Sequence, residues 1–262
     1  MKFHQIRSAT SIVTFGGVRF LIDPMLSPRD TYPAIPDAPV LGEGNPNCDL
    51  PCRPEDVLDV DAVIVTHLHF DHFDEAAARL LPKAMPLFTG GEAERTRLAG
   101  LGFTNVTVLT AGGVEFRGVR LFRTDCDHGS GSLTSRLAYA KIRETADACG
   151  VVFECPREAG RFYLAGDTVF CEYVTEAVRR YSPKWIAVNA AGAQYPRGHL
   201  IIMNEFEVLA LMEMFPEVDV IATHVAGVSH ATVTRESLGK FRAERGLARL
   251  AIPEDGEELL YG

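Results

Sequence analysis

Four side chains of the metal-ligand type follow a short apolar run in the first third of the chain. The apolar residues 63–65 lead into His67, His69, Asp71 and His72. Side chains two positions apart in an extended chain point to the same face, so His67 and His69 can reach the same point. Neutral imidazoles and carboxylates suit zinc, iron or manganese better than calcium or magnesium. The stretch therefore predicts a metal site at the end of a strand.

The composition limits the class of protein. Of the 262 residues, 47% are hydrophobic and 23% are charged, which is typical of a globular protein. The net charge of −9 argues against a broad nucleic-acid surface, since phosphate binding needs basic side chains. No apolar run approaches the ~18 residues of a membrane span, and residues 1–7 do not resemble a signal peptide. We expect a cytoplasmic protein that binds neither nucleic acid nor membrane.

The six cysteines are scattered, which favours reduced thiols over a disulfide framework. Cys48 and Cys52 have the spacing of half a zinc site. However, no second pair follows at finger spacing, so we interpret them as incidental.

Taken in order, the pattern predicts a strand-rich first half and a second half in which strands alternate with helices. A Gly-Gly pair between two apolar runs predicts a hairpin over residues 11–23. Further strands are predicted at 61–66, 106–109, 114–116, 119–123, 137–142, 150–154, 161–165, 185–188 and 218–222. Helices are predicted at 73–78, 92–98, 171–181, 204–214 and 234–245, the fourth opened by a capping box of Asn204 and Glu207. Since no linker divides the chain, we predict a single α/β domain, residues 1–262, with helices outside two sheets.

Residues 24–57 form a long connection that holds eight of the 15 prolines. Such connections are often functional lids or disordered segments. Because this one contains Arg29, Tyr32 and Leu41, we favour an ordered rim over the metal site. A loop without a role in binding remains the alternative.

Ligand-type residues also follow three later predicted strands. These are His128, Asp167 and His224, which lie far apart along the chain. A finger-type structural site is excluded because its ligands come in close pairs. Taken alone, each histidine could be a packed or surface residue, and Asp167 could cap the following helix.

Together these residues resemble the metallo-β-lactamase superfamily. The resemblance rests on His67-x-His69-x-Asp71-His72, the later His128, Gly166-Asp167-Thr168 and the late His224. The segment from Ser8-Ala9-Thr10 to Leu21-Ile22-Asp23-Pro24 resembles the branch that contains the ascorbate-6-phosphate lactonases. One position departs from that branch: Ser8 stands where its members commonly have the histidine of Gly-His-Ala-Thr.

The resemblance implies a four-layer αββα sandwich with two divalent metal ions. Zinc is the favoured metal, and manganese or iron are the alternatives. It implies that the first metal binds His67, His69 and His128, that the second binds Asp71, His72 and His224, and that Asp167 bridges them. A hydroxide held by both metals would attack a small, anionic ester, lactone or phosphodiester. Asp71 would also be catalytic, by holding the hydroxide and passing a proton to the leaving group.

Other polar residues are weaker candidates. His230 is predicted either to support a metal ligand by contacting it or to act on the leaving group. The alternative is that it is an exposed loop histidine. Tyr195, Arg197 and His199 could bind an anionic group, but a solvated face is the favoured interpretation.

Two other functions remain open at this point. One is a di-iron oxidoreductase on the same fold, and the other is a non-catalytic metal-binding protein. The predicted partner is a small-molecule substrate, and the chain could also form homo-oligomers. The substrate itself cannot be identified from the sequence, because loop variation sets specificity.

Overall fold

A computed structural model describes residues 1–35, 44–142 and 144–262. The strands are β1 (Lys2–Arg7), β2 (Thr10–Phe15), β3 (Val18–Ile22), β4 (Ala62–Val65), β5 (Leu87–Thr89), β6 (Val106–Val108), β7 (Val114–Phe116), β8 (Val119–Asp125), β9 (Cys149–Glu154), β10 (Phe162–Leu164), β11 (Trp185–Asn189), β12 (Asp219–Thr223), β13 (Leu250–Ala251) and β14 (Glu258–Leu260). The α-helices are α1 (Glu75–Leu80), α2 (Glu92–Gly100), α3 (Leu133–Ile142), α4 (Glu172–Tyr181), α5 (Glu205–Met214) and α6 (Arg235–Arg245). A short 3-10 helix spans Pro54–Val57.

The strands form two mixed seven-stranded sheets. The first has the order β14-β1-β2-β3-β4-β5-β6 and the second β13-β12-β11-β10-β9-β8-β7. Strands β3 to β6 pair in parallel, as do β10 to β13. Strand β8 also runs in the direction of β10, because both are antiparallel to β9 between them. Several strands of each sheet therefore deliver their carboxyl ends to one edge.

The central core lies between the two sheets. Four aromatic rings meet there, Phe15 and Phe20 from the first sheet and Phe153 and Phe162 from the second. The Phe153 ring centroid lies 5.8 Å from that of Phe15, 5.4 Å from that of Phe20 and 5.3 Å from that of Phe162. Aromatic pairs at these separations add specific attraction to the burial of apolar area. The core thus fixes one sheet against the other.

Two outer layers complete the sandwich. Helices α1 and α2 bury Ala77 and Leu98 against the outer face of the first sheet. Helices α4, α5 and α6 bury Val174, Leu211 and Leu238 against the outer face of the second. The αββα layering implied by the sequence is therefore confirmed. That residues 1–262 form one domain stays a prediction.

Most predicted elements are present, and the Gly16-Gly17 hairpin forms with Phe15 paired to Val18. The strand predicted over residues 137–142 is wrong, since this segment is the second half of α3. The run is rich in Ala, Leu and Lys, which favour helices. Ser135, Ala138 and Tyr139 also recur at helical spacing and form the buried face of α3. Tertiary burial of that face decides the structure.

The capping predictions are confirmed in part. The side chain of Asn204 caps α5 by accepting from the backbone N–H groups of Phe206 and Glu207. The reciprocal half of the capping box is wrong, because a carboxylate oxygen of Glu207 accepts from the N–H of Phe170 at 3.3 Å. Asp167 does not cap the next helix either, since Cys171 occupies that position of α4.

The proline-rich connection contacts the rest of the molecule at several points. The Tyr32 ring lies 5.2 Å from the ring of Phe70, and Asn45 pairs with the backbone of Tyr32 and with Ser229. Leu41 lies outside the described residues, and Arg29 is exposed. Among the helices in the described ranges, none is long and apolar enough to cross a membrane.

Candidate metal centre

Strand ends bring the ligand-type residues together at one edge of the sandwich. His67 follows β4, His128 follows β8, Asp167 follows β10 and His224 follows β12. The three remaining residues lie on the turn between β4 and α1. The backbone N–H of His72 donates to the carbonyl of His69 at 3.0 Å and fixes that turn.

The first group consists of His67, His69 and His128. His69 Nδ1 lies 3.0 Å from His67 Nε2 and 3.3 Å from His128 Nε2. One nitrogen from each residue falls within 4.8 Å of the others, so one ion can contact all three. His67 and His128 are buried, and His69 is partly exposed.

The second group consists of Asp71, His72 and His224, which are all buried and whose ligand atoms likewise lie within 4.8 Å of one another. His224 Nε2 lies 3.5 Å from Asp71 Oδ2. Asp167 lies between the groups. Its Oδ2 atom is 3.2 Å from His72 Nε2, 3.5 Å from His128 Nε2 and 3.9 Å from His67 Nε2.

The protonation states fit divalent cations. Burial lowers the pKa of His67, of His128 and, to about 3, of His69, which leaves these imidazoles neutral with electron pairs free for a metal. Burial opposes ionisation of Asp71 and Asp167, but the neighbouring imidazoles outweigh it and hold the pKa of both carboxyls well below the usual range. The centre thus contains two buried carboxylates that need compensating positive charge.

His72 lies where this positive charge is needed. Burial disfavours its protonation, but the negative charges of Asp167 and Asp23 raise its pKa well above the ordinary value. His72 Nε2 faces Asp167 outside hydrogen-bond geometry, so this buried nitrogen has no hydrogen-bond partner. A divalent cation could bind between the two side chains and replace the proton.

Hydrogen bonds behind the cluster fix how the rings are oriented. His128 Nδ1 donates to the carbonyl of Ile201 at 2.8 Å, and His69 Nε2 donates to the carbonyl of Thr145 at 2.8 Å. The opposite nitrogen of each ring then faces the cluster as an electron-pair donor. Such partners tune metal affinity nearly as strongly as the ligands themselves.

Two carboxylates are also held in place. Asp23 accepts from His72 Nδ1 at 2.9 Å and from the backbone N–H of Thr66 at 2.7 Å. Asn189, at the end of β11, donates to Asp167 Oδ1. Sequence reasoning missed both supporting residues, although each ends a strand as the ligands do.

Ser8 supports His224 from the other end of the chain. Its hydroxyl oxygen lies 2.9 Å from His224 Nδ1, and both residues are buried. The backbone of Ser8 is left-handed, with φ of 53°, and its carbonyl accepts from the N–H of His224 at 3.0 Å. The position that departs from the lactonase branch therefore contacts a candidate metal ligand.

A small pocket of about 60 Å³ opens over the cluster. Besides residues of the cluster, it is lined by Ile35, Phe70, Tyr139, Ile142, Glu144, Tyr195, Ile201 and His230. Within the described ranges this lining contains no lysine or arginine, and Arg143 lies outside them. The described wall is thus apolar and aromatic, with one carboxylate at Glu144.

His230 lies in the pocket rather than on an exposed loop, with 5% of its surface accessible. Its Nδ1 is buried without a hydrogen-bond partner. Burial lowers its pKa to about 4, so the ring is neutral near pH 7. Its catalytic role stays a prediction.

The three residues of the candidate anion-binding loop lie in different environments. Arg197 and His199 are exposed, as the solvated-face interpretation expects, whereas Tyr195 is buried and lines the pocket. Sequence reasoning missed Tyr139, whose hydroxyl oxygen lies 3.1 Å from His128 Nε2. The wrong strand prediction over this segment hid the helix that brings Tyr139 to the pocket.

Comparison with known proteins agrees with this geometry. Residues 18–225 match the model of the β-lactamase superfamily domain. The chain is 36% identical to UPF0173 protein YddR of Bacillus subtilis (strain 168) over the full length of both. The segment upstream of the matched domain, which contains Ser8, is included in that likeness.

Two solved structures are also similar over nearly the whole chain. One is isothiocyanate hydrolase from Delia radicum gut bacteria, at 34% identity and a TM-score of 0.92, covering 100% of this chain and 99% of that one. The other is a possible metal-dependent hydrolase from Veillonella parvula DSM 2008, at 34% identity and a TM-score of 0.93, covering 99% and 98%.

Proposed function

Because the chain belongs to the β-lactamase superfamily and, within it, to the UPF0173 family of hydrolases, we propose that it uses a two-metal centre to hydrolyse small electrophilic molecules. The first substrate class to test is the isothiocyanates. Esters, lactones and phosphodiesters, which the sequence suggested, form the comparison group.

The observation that carries the proposal is the convergence of seven ligand-type side chains, four of which (His69, Asp71, His128 and Asp167) line one pocket. They form three overlapping groups, in which His67 belongs to the first and second, His72 to the second and third, and Asp167 to the second alone. A structural role for a metal would not require an open pocket above the ligands. The overlap instead favours two neighbouring ions that a substrate can approach.

The proposed first metal ligands are His67, His69 and His128, the second are Asp71, His72 and His224, and Asp167 is shared. When bound, two divalent cations supply Lewis acidity and lower the pKa of a water, so that hydroxide is available near neutral pH.

Side chains of the protein, Asp71 and His230, would orient the attacking water and transfer its proton. Asp71 is ionised and lines the pocket, where it can accept a hydrogen bond from the attacking water and orient it. His230 is neutral and its buried Nδ1 has no hydrogen-bond partner, so it can take the proton of that water and pass it to the leaving atom. The apolar walls at Ile35 and Phe70 exclude competing water and strengthen these interactions.

The pocket wall supports an uncharged substrate. Glu144 is half-buried in the lining, and its negative charge would repel an anionic tail. An isothiocyanate is small, uncharged and apolar apart from its reacting group. It therefore fits this wall better than the anionic substrates expected from the sequence, and a neighbour with 34% identity is named for that activity.

The test combines elemental analysis of the purified protein with turnover of allyl and benzyl isothiocyanate, γ-butyrolactone, a thioester and bis(p-nitrophenyl) phosphate. We expect about two zinc or manganese ions per chain and fastest turnover of the isothiocyanates. Chelation and Asp71→Ala should abolish activity, whereas His199→Ala, which changes an exposed histidine outside the pocket, should not.

The alternative functions give different results. Two irons with redox activity and no hydrolysis would favour an oxidoreductase. Bound metal without turnover of any substrate would favour a non-catalytic protein. Absence of metal after reconstitution would refute the two-metal centre itself.

A further inference from the structure

We propose that Tyr139 is a catalytic residue whose hydroxyl donates a hydrogen bond to the substrate atom that becomes negatively charged. This inference rests on the proposed function and deepens it.

The position of Tyr139 is fixed by packing. The side chain is 4% exposed, yet it lines the pocket beside the metal ligands. Its ring stacks on His69 with a centroid distance of 5.4 Å and an interplanar angle of 25°, and it contacts the ring of Tyr195 at 5.3 Å. A side chain packed against two other rings keeps its hydroxyl in one place, which is what a preorganised donor requires.

The direction of the hydrogen bond to His128 follows from the other nitrogen of that ring. His128 Nδ1 donates to the carbonyl of Ile201, so Nε2 carries the electron pair and Tyr139 donates to it at 3.1 Å. A tyrosine hydroxyl carries its proton near neutral pH and can therefore act as a donor.

The same electron pair is the one that would bind the first metal. A single pair on His128 Nε2 cannot accept from Tyr139 and bind a cation at once. Metal binding must therefore displace the hydroxyl hydrogen from Nε2. Within the described part of the chain His128 is the hydrogen-bond partner of this hydroxyl, and the pocket is the space that remains open to it.

The hydroxyl then faces the reacting group. When hydroxide adds to the central carbon of R–N=C=S, a C–O bond forms and the electrons of one C=S or C=N π bond move onto sulfur or nitrogen. Tyr139 O–H donates to that atom without losing its proton. Nitrogen then gains the proton that the water gave up, and the product is a thiocarbamic acid. In an ester or lactone, the carbonyl oxygen would take the same place.

The test compares Tyr139→Phe with wild type and with Tyr163→Phe. The control removes another buried phenol, in β10, whose hydroxyl contacts Thr124 outside the pocket. Three quantities are measured: zinc affinity by chelator competition, binding of thioacetate to the zinc-loaded protein by calorimetry, and kcat and KM on the best substrate.

Tyr139→Phe should bind zinc at least as tightly as wild type, and up to ~10-fold more tightly, because a hydrogen bond competing for His128 is gone. A merely structural role would weaken zinc binding instead. Thioacetate carries oxygen and sulfur as the addition product does, and it should bind ~10-fold more weakly. Loss of one such donor should lower kcat by about 100-fold with little change in KM. The control should change none of these by more than about twofold.

The outcomes separate this inference from the proposed function. Unchanged thioacetate affinity in Tyr139→Phe, or weaker zinc binding, would overturn the role of Tyr139 even if isothiocyanates are hydrolysed. If wild type turns over no substrate but thioacetate binding still depends on Tyr139, the proposed hydrolysis fails and the anion-donor role remains.

Discussion

The contact between Ser8 and His224 makes a direct prediction about metal binding. Ser8→Ala removes one hydroxyl and leaves the backbone contacts of residue 8 available, because its carbonyl accepts from Gln5, Thr223 and His224. Alanine is strained in the left-handed conformation much as serine is, since both carry a Cβ. The variant therefore isolates the hydrogen bond to His224 Nδ1.

The magnitude follows from burial. With Nε2 directed at a metal, Nδ1 of His224 carries the hydrogen and donates to Ser8 Oγ at 2.9 Å. A buried donor left without its partner costs roughly 1–3 kcal/mol. Tenfold in affinity corresponds to about 1.4 kcal/mol, so the metal bound by His224 should be held about 10- to 100-fold more weakly. The ion bound by His67, His69 and His128 should be unaffected, since Ser8 touches none of these side chains.

A two-site zinc titration against chelators of graded affinity measures both constants. Ser11→Ala is the matched control, because Ser11 is also buried but its hydroxyl has no hydrogen-bond partner. Equal weakening of both sites in Ser8→Ala, or two unchanged constants, would refute the reasoning. The first result would mean general destabilisation, and the second would mean that His224 does not bind metal through Nε2.

Three further results are expected. Asp23→Asn should weaken the metal bound by His72 about 10- to 100-fold in the same titration, since it weakens the acceptor that orients that ring. Phe153→Ala should lower the free energy of unfolding by roughly 3–5 kcal/mol in urea melts, because the fully buried ring joins both sheets; a loss under 1 kcal/mol would contradict that role. In the metal-free protein, the pKa of His230 is lowered to about 4 from an ordinary 6.5, so the unfolded state binds the extra proton first and stability is lost as pH falls through that window. His230→Gln should make this loss shallower, by up to about 1.4 kcal/mol per pH unit, and a slope equal to that of wild type would refute the assignment.

The fold was largely predictable because hydrophobic patterning and turn residues agree with each other in most segments. Val18 and Phe15 flank a Gly-Gly turn, and the apolar strands 62–65 and 185–189 have no other stable location than a core. Segment 133–142 was not predictable in the same way. Its composition and the spacing of its buried residues favour a helix, but the short apolar run over 137–140 also fits a strand, and the contact of Tyr139 with Tyr195 is one that no local pattern reveals.

The candidate ligands were predictable for a related reason. Imidazole and carboxylate side chains directly after buried strands are recognisable one strand at a time, and parallel strands gather such ends at one edge. The supporting residues have no such signature. Asp23 resembles any strand-end carboxylate that could cap a turn, and serine at position 8 gave no sign of contacting a residue more than 200 positions away.

The supporting contacts also show where the two halves of the proposed centre differ. His72 is oriented by the charged carboxylate of Asp23, whereas His224 is oriented by the neutral hydroxyl of Ser8. A charged acceptor strengthens a histidine as a ligand more than a hydroxyl does, because charge-assisted hydrogen bonds are roughly twice as strong as neutral ones. Of the two imidazoles proposed to hold the second metal, His224 should therefore be the weaker ligand. We therefore expect a substitution at position 8, where the chain departs from the lactonase branch, to change the affinity of the proposed second metal without changing a proposed ligand.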